Sequence, residues 1–383
     1  MILRGGRVAF SPSLAERADI ETIGSRIRAI GRRLTGNGPD LSEYLILPGL
    51  INAHDHLEFN LFPRLGEGPY NTLAEWAQDI HARCGEQIRR VLRVPLEERM
   101  IWGAIRNLAS GVTTVCHHNP WHPVFDRDFP IRVMRTFSWA HSLAFSPDLA
   151  RKHESCPPER PFVFHAGEAT ARAGRQEMEH LAELGLFARN SVLVHAVALD
   201  RKSLALVKKN GCSLVWCPSS NLFILGRTLS SQVLHSGVPT ALGTDSGLSS
   251  EGDMLDEIRV ARAVSDVSDD RIYAMVTIAA AQVLRLSHGE GSIREGGVAD
   301  LALFKDRGSM PAETLGRQLP DAVFVRGKLQ LVSEQFAGAW KDVFPELESF
   351  QALSVAGRGA VRVRCRVPVP LDGLRLAGRE LNV

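Results

Sequence analysis

The chain is 383 residues long, 44% hydrophobic and 23% charged, the profile of an ordinary globular protein. A formal net charge of +2 leaves no basic stripe for a nucleic-acid partner, and no apolar run reaches the roughly 18–20 residues of a membrane span. Six scattered cysteines without a CxxC pair exclude a zinc knuckle or a thioredoxin-like motif and read as buried free thiols.

The opening MILRGGRVAFSP has no apolar signal-peptide core, so a cytoplasmic location is expected. Residues 1–46 read as short strands with turns, broken at Gly36–Pro39. These strands are too few to close a layer alone, and the C-terminal region offers partners. The apolar run LILPGLI then leads into His54-Asp55-His56. If that run is a strand, side chains two apart share a face, so both imidazoles project together and can grip one metal ion. The stretch NTLAEWAQDIHARC has helical spacing. So does LEERMIWGAIRNLASG, where Met100, Ile101, Ala104, Ile105 and Leu108 share a face and Gly111 is a plausible stop. VTTVCHH, ending in His117 and His118, is strand-like, and Ile131–Phe137 is a further strand candidate.

From there the alternation is regular. Strands are expected at 161–165, 191–195, 212–218 and 238–245, each followed by a helical pattern. Near-continuous apolar strands imply a parallel sheet covered on both faces. Up to eight βα units fit an α/β fold of the (β/α)8 TIM-like barrel type. An open doubly wound sheet lacks its glycine fingerprint, since Gly289 and Gly291 are followed by Arg294 where a third glycine belongs. His54, His165, His195 and Asp245 each end an apolar strand. In a barrel those ends converge on one face, where active sites are built, so the pattern predicts a metal site.

At this point the residues resemble a known family. Leu47-Pro48-Gly49 before His54-x-His56 is similar to the amidohydrolase superfamily, as are His165-Ala-Gly-Glu168, Val194-His195, Cys217-Pro218-Ser219-Ser220-Asn221-Leu222-Phe223 and Gly243-Thr244-Asp245-Ser246. The likeness is greatest to its mononuclear deaminase branch, which holds guanine, cytosine and S-adenosylhomocysteine deaminases and the triazine hydrolases. The segments 291–304 and 322–332 also resemble that family, whose C-terminal strands join the N-terminal ones in a small β-sandwich beside the barrel. The resemblance thus implies residues 1–48 and 289–383 as the two parts of a sandwich, the latter with a tail, and 49–288 as the barrel.

The resemblance also implies roles. His54, His56, His165 and Asp245 would ligate one divalent ion, zinc ahead of iron, Glu168 would shuttle protons, and His195 would hydrogen-bond the attacking water or the intermediate. Chemistry agrees, because a divalent ion lowers the pKa of bound water toward about 7. Asp245 can take that water's proton, and Glu168 is placed to protonate a ring nitrogen or leaving group. Binuclear relatives commonly need a lysine at the end of the fourth strand. No lysine precedes Lys152, which sits in a polar stretch, so a single ion is expected.

Phe59, His118, Trp121 and Asn221 are candidate substrate contacts. The implied reaction is hydrolytic deamination of an aminated nitrogen heterocycle by a water that the metal activates. Hydrolysis of a cyclic amide or imide, or of an aryl C–N or C–Cl bond, is the alternative on the same site. The expected partners are a small-molecule substrate and a second copy of the chain, with neither nucleic acid nor membrane. One departure stands out. Only 109 positions separate His56 from His165, so the fourth βα unit is expected to be abbreviated, with Trp139–Phe145 as its remnant. The tail 341–383, including AVRVRCRVPVPL, reads as added strands.

Overall fold

The computed structural model describes residues 1–368 and 374–382. The last three residues of the AVRVRCRVPVPL stretch therefore lie outside the described residues. The N-terminal region forms β1 (Ile2–Ala9), β2 (Ala15–Ile23), β3 (Arg26–Gly31) and β4 (Tyr44–Pro48). The central region supplies β5 (Leu50–Asp55), β6 (Val112–His117), β7 (Arg132–Val133), β8 (Ser138–Trp139), β9 (Phe162–Ala166), β10 (Ser191–His195), β11 (Ser213–Trp216) and β12 (Thr240–Leu242). The C-terminal region adds β13 (Leu301–Lys305), β14 (Ala322–Val325), β15 (Lys328–Ser333), β16 (Gln351–Val355), β17 (Gly359–Val363), β18 (Arg375–Leu376) and β19 (Arg379–Asn382).

The central strands pair in parallel as two sheets, β8-β9-β10-β11-β12 in one and β5-β6-β7 in the other. A parallel bridge between Asp55 and Asp245 joins them at one edge. At the other edge a single stretch of chain serves both, since β7 pairs with β6 and β8 pairs with β9. Period-two alternation puts Val163, Val194, Val215 and Ala241 into a shared interior cluster with Ile51 and Cys116. Phe162, Phe164, Leu193, Leu214 and Trp216 face the other way, into the core under the helices. Both faces of these strands are thus apolar, which is why they read as unbroken apolar runs.

The barrel is uneven. Three helices, Leu73–Arg83, Gly85–Leu92 and Leu96–Leu108, lie between β5 and β6, as the helical spacing there predicts in part. After β6 there is only the 3-10 turn Pro123–Asp126, and just four residues part β7 from β8. The expected shortening is therefore real but falls elsewhere. The fourth unit keeps its strand and the helix Leu149–Glu154, and the α-helices after the second and third strands are the ones missing. The expected strand 131–137 is paired only at Arg132–Val133, and the supposed remnant 139–145 begins within β8.

The terminal strands come together as one hydrogen-bonded sheet in the order β18-β19-β16-β17-β15-β14-β13-β4-β1-β2-β3. It curls, because Leu3, Ile20 and Ile27 share a core with Phe324, Leu329 and Phe336. Ile27 N–H donates to the Gly297 carbonyl and Ala299 N–H to the Ser25 carbonyl, both at 2.9 Å. The tail extends this sheet and also reaches the barrel: Ala377 N–H donates to the Asn60 carbonyl, and Gly252 N–H donates to the Ala377 carbonyl. No helix among the described residues is long and apolar enough to cross a membrane.

Candidate metal centre and active site

Local backbone geometry aims the predicted ligands. The pairing of β5 with β6 shifts register between Asn52 and Asp55, a strand-end irregularity that redirects side chains. At the other end of the chain order, Gly243 brings β12 against β5. A Cβ there would stand 2.7 Å from His54 Cβ and 2.9 Å from its backbone nitrogen, so only glycine permits this approach. His195 (φ 69°) and Asp245 (φ 55°) hold left-handed backbone conformations, a strain that non-glycine residues adopt chiefly where a site demands it.

The result is a convergence of donor atoms from the ends of β5 and β9 and from the loop after β12. His54 Nε2 and His165 Nε2 are 3.0 Å apart. Asp245 Oδ1 lies 3.7 Å from His54 Nε2 and 3.6 Å from His56 Nε2. Ligand atoms of His54, His56 and His165 all fall within 4.8 Å of one another. Four donors at about 2.0–2.1 Å from one tetrahedral ion would be about 3.3–3.4 Å apart, so the spacing fits. Protonation fits as well. Burial lowers the pKa of His54 to about 3 and that of His165 well below its ordinary value, leaving neutral imidazoles. Burial acts to raise the Asp245 carboxyl, but the His54 hydrogen bond and the surrounding imidazoles hold it well below the usual range. Neutral imidazoles with an ionised carboxylate are the donor set a divalent ion takes.

Asp245 is itself oriented. Its Oδ2 accepts from Ser220 Oγ at 2.6 Å and Ser249 Oγ at 2.8 Å, leaving Oδ1 for the histidines. Lys152 lies away from this centre on the helix Leu149–Glu154, ion-paired with Asp148 at 3.3 Å.

Glu168 is buried beside the donors, with neither carboxyl oxygen hydrogen-bonded among the described residues. Burial pushes its pKa well above the carboxylate range, and the negative charges of Asp245 and Glu177 add to it. Its Oε2 stands 3.5 Å from His195 Nε2. His195 Nδ1 is 2.8 Å from the Asn221 side-chain oxygen, which accepts, so the neutral ring carries its proton on Nδ1 and presents a lone pair at Nε2. A protonated acid thus faces the lone pair of an imidazole whose own pKa is lowered by burial, so the proton stays on Glu168.

The expected substrate contacts separate. His118 lies parallel to His165 at 4.6 Å, fixed by its Nε2 on the Ala140 carbonyl at 2.8 Å. Phe59 stacks on His56 at 5.7 Å. Asn221 is fully buried behind His195, engaged with that ring and with Thr228. Trp121 is on the surface, donating to Asp126 and stacked under Arg135. His117 turns from the donor set, its Nδ1 accepting Leu57 N–H.

His141 is a residue sequence reasoning missed. Its Nδ1 is 3.4 Å from His165 Nδ1, and its carbonyl accepts His165 N–H. Beside Glu168 and His165 opens a cavity of about 290 Å³, bounded also by Thr72, Leu73 and Ser142–Phe145.

Comparison with known proteins agrees with this geometry. The amidohydrolase family model matches residues 159–330, a span that holds His165, Glu168, His195 and Asp245. A 5-methylthioadenosine/S-adenosylhomocysteine deaminase of Halobacterium salinarum is 27% identical over 320 residues, covering 69% of this chain and 74% of that one. A protein of the same name from Thermococcus onnurineus is 29% identical over 147 residues, and that match spans only 36% of this chain and 34% of its own length. Among solved structures, atrazine chlorohydrolase from Arthrobacter aurescens TC1 complexed with zinc superposes with a TM-score of 0.70 at 19% identity, over 86% of this chain and 94% of that one. With the barrel, the histidine pair at the end of its first strand and the aspartate after its last all in place, the chain is similar in fold to that hydrolase, and its residues 159–330 match the amidohydrolase family model.

Proposed function

We propose that the protein hydrolytically deaminates an aminated nitrogen heterocycle. The observation that carries this reading is Glu168, a buried carboxyl with no hydrogen-bond partner among the described residues and a raised pKa, standing beside the donors of His54, His56, His165 and Asp245. One divalent ion at His54, His56, His165 and Asp245, zinc ahead of iron, supplies the Lewis acidity that lowers the pKa of water to about 7.

The chain's own groups do the rest. Asp245, its Oδ2 held by two serines, takes a proton from the attacking water on Oδ1. Glu168 gives its proton to the ring nitrogen next to the amine-bearing carbon, and that carbon becomes tetrahedral. The proton on Asp245 then passes to the amine, which leaves as ammonia. The new hydroxyl returns a proton to Glu168 and becomes the ring carbonyl. His195, with its proton fixed on Nδ1 by Asn221, accepts at Nε2 and steadies Glu168 through the cycle.

The relatives named as 5-methylthioadenosine/S-adenosylhomocysteine deaminases support this chemistry. A homodimer and a cytoplasmic site of action complete the reading. The test is metal analysis followed by an ammonia-release screen across aminated purines, pyrimidines and triazines. One ion per chain and ammonia release are expected. A product that gains a whole water without losing ammonia, or chloride release from a chlorinated ring, would transfer the assignment to the alternative hydrolase chemistry.

A further inference from the structure

The cavity beside Glu168 holds a second carboxyl group. Glu177, on the helix Ala171–Glu183, reaches back to line it together with Glu168, Leu73, Leu143 and Phe145. Its Oε1 accepts the Gly167 N–H at 3.1 Å, pinning the turn between His165 and Glu168. That turn has little freedom, because Gly167 has φ 61° and a Cβ on it would meet Met178 Sδ at 2.8 Å. Among the described residues nothing donates to Glu177 Oε2, and no lysine, arginine or histidine pairs with this carboxyl. Nor does any lysine or arginine line the cavity, whose other walls are mostly apolar.

A carboxylate in such a slot is costly unless something pairs with it, and the described residues provide no cation. We propose that the substrate provides it: Glu177 is a specificity-determining residue that receives a cationic or doubly N–H-donating group, such as a second amino or amidine function, on the ring being deaminated. This rests on the deaminase reading above. It narrows the substrate to a neutral or cationic heterocycle with a compact apolar substituent against Leu73, Leu143 and Phe145. It excludes a phosphate or carboxylate from this cavity, where the Glu177 carboxylate would oppose it.

Benzamidinium and benzamide are a near-isosteric pair, one with a charged amidine and the other with a neutral amide. Their binding to the full chain, zinc-loaded and zinc-free, is measured by calorimetry. The wild type is expected to bind benzamidinium about tenfold tighter or more, the size of one part-buried ionic hydrogen bond. Glu177→Gln keeps an acceptor for Gly167 N–H, so melting is unchanged, and the preference shrinks to about twofold or less.

An undiscriminating wild type, a variant that keeps the preference, or equal loss of both ligands would each overturn the proposal. The outcome is separable from the reading it rests on. Discrimination with no ammonia released from any heterocycle would sink the deaminase assignment and not the Glu177 site. Ammonia release without discrimination would sink Glu177 alone.

Discussion

Glu168 and Asp245 are two buried carboxyls driven in opposite directions by their neighbours. Burial and like charge keep the proton on Glu168, whereas the His54 hydrogen bond and the adjacent imidazoles keep it off Asp245. Such a split separates an acid from a base within one site. Glu168→Gln preserves shape and removes the proton to be donated. Ammonia release should fall roughly 10²–10⁴-fold while the metal content of the purified variant stays at the wild-type level. Loss of metal alongside activity would make Glu168 a ligand and overturn its role as acid. Ser220 acts one step back, by turning the Asp245 carboxylate. Ser220→Ala should weaken metal affinity about 10–100-fold in a chelator competition, the usual cost of losing a partner of a ligand. His54→Ala should lose the metal outright.

At the scale of elements, what the sequence revealed follows from the kind of signal each residue left. His54, His165, His195 and Asp245 were legible because each ends an unbroken apolar run, and burial on both faces of a parallel strand produces such a run. His141 was missed because its strand is only two residues long and no helix precedes it, so neither periodicity had room to show. Asn221 was read as a substrate contact because a polar residue in a motif near the barrel mouth carries no mark of facing inward.

Helix Met254–Val264 offers a separate prediction. Its buried Glu257 accepts the Ser219 N–H at 2.8 Å and so ties two helices behind the site. Burial raises its pKa to about 7 from 4.5. The folded state therefore holds a proton that the unfolded state releases, and stability falls as pH rises from about 4.5 through 7. Glu257→Gln keeps the acceptor without the charge. It should stabilise the protein by roughly 1–3 kcal/mol at pH 8 and have little effect at pH 4.5, as read by denaturant melts at the two pH values.

For the molecule as a whole, the C-terminal tail is more than an extension of the sheet. Arg358 is buried between Asp253 and Asp256, and Arg379 donates to Asp256 at 2.6 Å. Ala377 links the loop after His56 to the loop after Asp245 through two backbone hydrogen bonds. Arg358→Ala leaves the buried Asp253 without its cation, while Asp256 keeps Arg379, and should cost about 3–5 kcal/mol in a chemical melt. A variant as stable as the wild type would show that the tail is merely attached.

The four-residue step between β7 and β8 has a consequence of its own. The wall there is one thread of chain with no helix between its two strands, and Ala140 on that thread carries the carbonyl that fixes His118. Local opening costs least where few contacts must be broken. Amide protons of residues 131–141 should therefore exchange with deuterium sooner than those of β9 to β11, making this seam the place where the vessel first leaks.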